Sequence, residues 1–401
     1  MDEEQRPPKR RRWPGRLLAG VLVFAVLFYA GGGWYFSNLI DSRALDGAAR
    51  REDFAHPTYD LTVTAITSNA VQLTPIGDGP SALALEGMWG LRWDGGYGQV
   101  FEVRQTGLGP DGNAVERRFR LFSGTPPGVG TEAQLDPRAY PEGPWNVNAP
   151  YDDVMVKGPL GDYPAWHTDG KLGTWVILVH GNSTARLDNV RILPALITAG
   201  YPTLTISYRN DPGAPEDPSG KLRYGLTEWA DLEAAVVYAQ KQGAKDVVLY
   251  GDSMGGGVIA EFLRRSDFAP QVRAVVFDAP MLDFSQTVDD NASRETLPGL
   301  PLPLPPSLTA TAKWMAGWRF DVDWSAMNYL RDPSVYHVPF LVFHGDADTT
   351  VPIATSEAFA AARPDLVTLV TCPGANHIEC WNVDRVTYED QLLAFLKANV
   401  Q

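Results

Sequence analysis

Ser253 stands in the run Tyr250-Gly251-Asp252-Ser253-Met254-Gly255-Gly256-Gly257, with apolar residues before it and a helical pattern after it. Gly-x-Ser-x-Gly between a strand and a helix makes a sharp turn that lifts the serine hydroxyl above the edge of a sheet. Gly251 and Gly255 suit that turn, because a Cβ at either would meet the adjoining strand or helix. A serine used in acyl transfer needs a histidine to take its proton and a carboxylate to orient that histidine. Hung from successive strands of one sheet, the three follow in the order serine, acid, histidine. Three histidines follow Ser253: His337, His344 and His377. The apolar run Phe340–Phe343 leads into His344-Gly345-Asp346-Ala347-Asp348-Thr349-Thr350-Val351-Pro352, which offers two carboxylates. His377 is the one histidine downstream of both, which marks it as the general base.

Those groups need a scaffold, and from about Tyr151 the pattern supplies one. Strands alternate with helices, as in a mostly parallel sheet covered on both faces. Val154–Val156 and Tyr163–Trp166 read as an opening hairpin. Trp175–Val179 is a buried strand running into His180-Gly181-Asn182, and Thr203–Tyr208 is the next strand. Val190–Ala199 and Trp229–Gln240 carry apolar residues at helical spacing. Asp246–Tyr250 feeds the serine turn, and Gly255–Arg265 follows it as a helix. Arg273–Phe277, Phe340–Phe343 and Val367–Thr371 supply later strands, and Val386–Val400 a closing helix. The class is α/β.

With those motifs in that order, residues of about 151–400 resemble the α/β-hydrolase superfamily, near its esterase, lipase and serine-aminopeptidase-like branch. The resemblance implies the α/β-hydrolase fold with a cap insertion at about 281–338. The family's His-Gly-x-x-Asp-x-x-Val-Pro places the acid at Asp348, with Asp346 as the alternative; Asp278, after the preceding strand, could be the acid in some relatives but is expected to cap or pair locally. By the same match Ser253 is the nucleophile and His377 the base. The oxyanion donors implied are the main-chain N–H groups of Met254 and Asn182. His180 and His344 are expected to fix loop geometry. The His-Gly-Gly-Gly of the hormone-sensitive-lipase branch is missing. The implied activity is cleavage of carboxylic esters, with a small-molecule ester or acyl compound as substrate. A serine aminopeptidase or an acyltransferase would use the same three residues, and a non-catalytic hydrolase-fold binding protein is the reading from another class. An aminopeptidase needs a carboxylate for the substrate's ammonium, and Asp252, Asp283, Asp289 and Asp290 are the candidates. In the cap, Trp314, Met315, Trp318, Phe320 and Trp324 follow a proline-rich run, suiting either an acyl pocket or the cap's own core.

The remaining features set the context. At 401 residues and 44% hydrophobic content there is room for more than one domain and a substantial core. The net charge of −14 argues against a nucleic-acid partner. Residues 1–16 nevertheless carry six basic side chains against three acidic ones. They precede an uncharged apolar stretch, Leu17 to about Phe36, of the length that spans a bilayer as a helix. The basic flank predicts a cytoplasmic N-terminus, with the chain beyond about residue 40 outside. A cleaved signal peptide ending near Ser42-Arg43-Ala44 is the rival reading. Residues 41–124 read as a β-rich module, with Asp94-Gly95-Gly96 as a hairpin turn. Residues 125–150, with six prolines, read as a linker. Cys372 and Cys380 are the two cysteines and bracket His377. Outside the cytoplasm they could form a disulfide; two thiols are the alternative. The glycine run fits neither phosphate-loop nor dinucleotide spacing, and neither a cofactor nor a metal is implied.

Overall fold

The computed structural model describes residues 13–47, 58–182 and 185–400, and the basic cluster of the first twelve residues lies outside them. Two compact units share the chain. One combines the described residues up to Arg43 with Asp289–Asp323; the other takes those of Ala44–Val288 and Trp324–Gln401.

The larger unit begins with a barrel. Its antiparallel strands are β1 (Leu61–Ile66), β2 (Ala70–Pro75), β3 (Trp89–Trp93), β4 (Gly96–Leu108), β5 (Ala114–Gly124) and β6 (Glu132–Asp136). They close in the order β1-β2-β5-β4-β3-β6. Alternation sends Leu61, Val63, Leu73, Leu91, Trp93 and Phe119 into a shared core. The expected turn joins β3 to β4, with Gly95 at φ +84° and Trp93 paired to Gly96. One expectation needs correcting. The proline-rich segment 125–150 is not only a linker, because β6 lies within it. Ala133 and Leu135 face inward against Leu61 and Leu91, so β6 covers the edges that β1 and β3 would otherwise expose. Five alternating residues among prolines are too short a signal to announce that role.

Eight strands build the second sheet: β7 (Asp152–Lys157), β8 (Asp162–Thr168), β9 (Thr174–Val179), β10 (Thr203–Ile206), β11 (Asp246–Asp252), β12 (Val272–Asp278), β13 (Phe340–Gly345) and β14 (Val367–Cys372). Their spatial order is β14-β13-β12-β11-β9-β10-β8-β7. Strands β9 to β14 pair parallel, whereas β8 runs antiparallel to both β7 and β10. Val247, Val248, Leu249 and Tyr250 of β11 are all buried, because helices cover both faces of a parallel sheet. Those helices include α2 (Leu193–Thr198), α3 (Trp229–Lys241) and α4 (Met254–Arg265). The helix expected from Val190 starts only at Leu193, after a 3₁₀ segment over Ala185–Ile192. Pro194 explains the shift, since proline lacks an N–H and suits the first helical turn but not an interior.

Helix α5 (Phe284–Ser293) leads from the larger unit into the smaller one, which also holds α6 (Pro306–Phe320). Helix α1 (Trp13–Ile40) belongs to the smaller unit and is long and apolar enough to cross a membrane. It packs along α6 through Gly32 and Gly33. A Cβ on Gly33 would stand 2.8 Å from Thr311 Cγ2, so the two backbones approach closely. The larger unit ends with α7 (Ala354–Ala362), α8 (Cys380–Val383) and α9 (Arg385–Val400).

Candidate active site

The turn at Ser253 is built as its residues dictate. Ser253 sits between β11 and α4 at φ 49°, ψ −119°, a conformation that costs on the order of 1–3 kcal/mol and persists only when its surroundings enforce it. The enforcement is visible. Ser253 N–H donates to Asp278 O at 3.0 Å, and its own carbonyl accepts from Met281 N–H at 2.8 Å and Gly256 N–H at 3.0 Å. Helix α4 passes so close to β9 that a Cβ on Gly255 would lie 2.2 Å from the carbonyl oxygen of Val179.

His377 follows β14, and Asp348 follows β13. His377 Nε2 lies 2.9 Å from Ser253 Oγ, and its Nδ1 lies 2.7 Å from Asp348 Oδ2. The side chain of Asp348 is fully buried. Its Oδ1 accepts from the N–H groups of Thr350 (2.7 Å) and Val351 (2.9 Å). Burial alone would raise its pKa. The His377 ring, hydrogen bonds from His344 and His377, and the Val351 N–H outweigh it and hold the carboxyl below the usual carboxylate range. Asp346, the alternative acid, is exposed and accepts from Gly374 N–H at 2.7 Å. Asp278 is buried beneath the turn, where it accepts from Tyr388 OH at 3.0 Å and faces Arg191 at 3.6 Å. The structure therefore brings together Ser253, His377 and Asp348, and directs the other two carboxylates elsewhere.

The acid and histidine loops are tied to each other. Asn376 Oδ1 accepts from Thr349 N–H at 2.9 Å, and Ala347 N–H donates to Ala375 O at 3.1 Å. Cys372 and Cys380 form a disulfide with Cα atoms 5.5 Å apart, closing the loop that carries His377. His344, buried, has Nδ1 2.8 Å from Ser356 Oγ and Nε2 3.0 Å from Val351 O. His180 has Nε2 2.7 Å from Asp211 Oδ2 and stacks on Tyr208.

On the far side of Ser253, Gly181 comes so near that a Cβ there would lie 3.0 Å from Ser253 Cβ. Gly181 N–H is held by Asp252 Oδ2 at 3.1 Å. Burial, with Asp188 nearby, pushes the Asp252 pKa well above the ordinary value. Asn182 comes next, its side-chain amide donating to Tyr224 OH at 3.2 Å. Met254 opens α4, where backbone N–H groups have no intrahelical acceptor.

One set of residues escaped sequence reading. Arg191, 3% exposed, donates through Nη2 to Ile378 O (2.8 Å) and through Nη1 to Asn382 Oδ1 (2.8 Å) and Pro137 O (2.9 Å). Asn382 Nδ2 donates to Met88 O (2.7 Å) and Pro137 O (2.8 Å), and its carbonyl accepts from Met88 N–H at 2.9 Å. The chain flanking β3 and β6 of the barrel is thus clamped onto the segment just after His377. A buried arginine in an otherwise apolar stretch was the single hint.

Comparison with known proteins bears on the family and the fold. A family model described as "Alpha/beta hydrolase family" matches residues 176–390. The chain belongs to the alpha/beta hydrolase family. The esterase Pf2001 of Pyrococcus furiosus, in two crystal forms, superposes with TM-scores of 0.51 and 0.52 at 18% and 19% identity. The matches cover 65% of this chain and 97% and 96% of the esterase, a likeness of fold. Among curated proteins, the lysophosphatidylserine lipase ABHD12 of Danio rerio is 26% identical over 189 residues. That stretch is 44% of either chain, so the chain spans under half the length of this relative.

Proposed function

We propose that this alpha/beta hydrolase cleaves carboxylic esters through an acyl-enzyme on Ser253. The observation that carries the reading is the unbroken chain from Ser253 Oγ through both nitrogens of His377 to buried Asp348. In this reading Ser253 Oγ attacks the ester carbonyl carbon while His377 Nε2 takes the hydroxyl proton. Asp348 accepts the Nδ1 proton's hydrogen bond and stabilises the imidazolium. The oxyanion is received by Met254 N–H and by Asn182 N–H, since Gly181 N–H is already engaged by Asp252. His377 returns the proton to the leaving alkoxide. Water, deprotonated by the same nitrogen, then splits the acyl-enzyme and regenerates Ser253.

Esters are favoured over aminoacyl amides because each of the four carboxylates named as candidates for a substrate ammonium has a partner. Asp252 holds Gly181 N–H. Asp283 accepts from Gln286 N–H and the Asn328 amide. Asp289 pairs with Lys313 at 2.7 Å and Asp290 with Arg294 at 2.6 Å. The Danio rerio relative bears the name of a lysophospholipid lipase, which supports acyl lipids within the ester class. Helix α1 serves in this reading as a single-pass anchor, with the basic N-terminus in the cytoplasm and the catalytic unit outside.

The test is esterase kinetics with p-nitrophenyl butyrate against aminoacyl p-nitroanilides, together with serine-directed fluorophosphonate labelling. The expected outcome is a preference for the ester, and loss of both labelling and at least about 10⁴-fold of kcat in Ser253→Ala. A folded Ser253→Ala retaining a tenth of the activity would remove the nucleophile assignment. Faster turnover of the anilides would replace the esterase by a peptidase.

A further inference from the structure

Large apolar side chains that remain exposed are concentrated in the smaller unit. Among the described residues, fourteen of the twenty-one lie there. Ten are on α1, and the other four are Leu300 (52%), Leu302 (52%), Trp314 (69%) and Trp318 (75%). Isolated exposed apolar groups are ordinary, but a contiguous set calls for a partner.

Packing onto α1 places the two tryptophans. Ser307, near the start of α6, shares a hydrogen bond with Tyr29 OH (2.8 Å). Leu308 and Leu304 lie in one cluster with Phe28, Tyr29 and Phe36. At the other end Arg319 lies 3.5 Å over the Trp34 ring and donates to Ser37 Oγ (2.6 Å) and Asn38 Oδ1 (2.7 Å). Helix α6 therefore accompanies α1 from Tyr29 to Asn38, roughly 13 Å at 1.5 Å per residue. Leu17 to Tyr35 spans about 27 Å, close to a hydrocarbon core, so Trp34 and Tyr35 mark its outer boundary. The α1-facing stripe of α6 is Leu308, Thr311, Met315 and Arg319. At 100° per residue, Trp314 and Trp318 lie about a quarter-turn to its side, uncovered.

The composition fits a lipid environment. Leu297–Phe320 contains no acidic residue, in a chain of net charge −14. Pro298, Pro301, Pro303, Pro305 and Pro306 bring no N–H into it. The N–H groups of Leu297, Leu300 and Leu304 are bonded to Leu302 O, Leu297 O and Glu295 O. Proline-rich backbone with three of its N–H groups already bonded loses less on leaving water than an unpaired loop. Tryptophan is the side chain that prefers the headgroup boundary.

We propose that Leu300, Leu302, Trp314 and Trp318 form a second membrane contact, seating this segment in the outer phospholipid interface beside α1. The proposal rests on α1 being a membrane anchor. It is tested on the full-length protein in phosphatidylcholine–phosphatidylglycerol vesicles, with a nitroxide attached singly to Leu27→Cys, Leu302→Cys, Trp314→Cys, Trp318→Cys or Val129→Cys. Power saturation with oxygen and with a nickel chelate reports lipid or water exposure and depth. Leu27 on α1 and Val129 on a barrel loop, both exposed in the structure, serve as lipid and water references. The expected result is oxygen-dominated relaxation at 27, 302, 314 and 318, and nickel-dominated relaxation at 129. Lipid exposure at 27 with water-like values at 302, 314 and 318 overturns the proposal and leaves the anchor intact. Water-like values at 27 as well remove the anchor reading, and the proposal with it.

Discussion

Arg191→Lys probes whether the barrel helps to place His377, the proposed base. The arginine fork serves three acceptors at once: Ile378 O, one residue past His377, and Asn382 Oδ1 and Pro137 O, which lead to the barrel. Lysine keeps a positive charge near Asp278 but replaces the planar fork by a single ammonium on a different stem. Three charge-assisted bonds at about 1.5–3 kcal/mol each put about 4.5–9 kcal/mol at stake. If the ammonium recovers two of the three, the net loss is about 1.5–3 kcal/mol, or roughly 2–4 °C in Tm at about 2.1 cal/mol/K per residue of the larger unit. Catalysis should suffer beyond that. Freed from Arg191, the Ile378 carbonyl no longer pins the histidine loop, and a displacement near 1 Å costs about 100-fold. The expected outcome is kcat lowered about 10- to 100-fold, with KM within about threefold. Stopped assays with p-nitrophenyl butyrate, run well below the variant's Tm by differential scanning fluorimetry, measure both. A folded Arg191→Lys with kcat within twofold of the parent would refute the positioning role, whatever its Tm.

The two carboxylates after β13 should separate cleanly: Asp348→Asn lowers kcat by about 10⁴-fold, through the wrong histidine tautomer, while Asp346→Asn changes it little. The reverse ranking moves the acid to Asp346. The lowered pKa of Asp348 also carries a stability sign. Its carboxyl ionises more readily folded than unfolded, so its stabilisation is complete above about pH 3.9 and is lost as pH falls towards the native value. The Tm gap between parent and Asp348→Asn should therefore close in strong acid, as pH falls below about 3.9; a gap that stays unchanged down to the lowest pH at which the parent remains folded contradicts the assignment. For the disulfide, a sequence separation of 8 corresponds to about 2.5 kcal/mol in the loop-entropy account, so Cys372→Ser with Cys380→Ser lowers stability by up to that amount. Mass spectrometry of alkylated, unreduced protein from membranes should find the pair oxidised; free thiols would argue against the extracytoplasmic side.

Ser253, His377 and the alternation of strands and helices were legible because each depends on neighbours in the chain. A strand, a glycine-flanked turn and a helix declare the Ser253 turn within twelve residues, and topology then sets the order of its partners. The apolar run of α1 is likewise a local property, since about twenty uncharged residues suffice to show it. The choice between Asp348 and Asp346 was not local. Both lie two residues apart in one loop, and what separates them is burial against His377, reached across 29 positions. The same holds for β6, whose five residues gain meaning only from β1 and β3 on either side. It holds for Arg191, whose acceptors come from near residues 137, 378 and 382 and mark no pattern in the sequence. The cysteine spacing permitted a bridge, but Cα atoms 5.5 Å apart formed it. Sequence alone determined which chemistry this chain is equipped for, because motifs are short-range. Tertiary structure decided which carboxylate completes the serine–histidine pair and what holds the histidine loop, because those contacts join residues far apart in the chain.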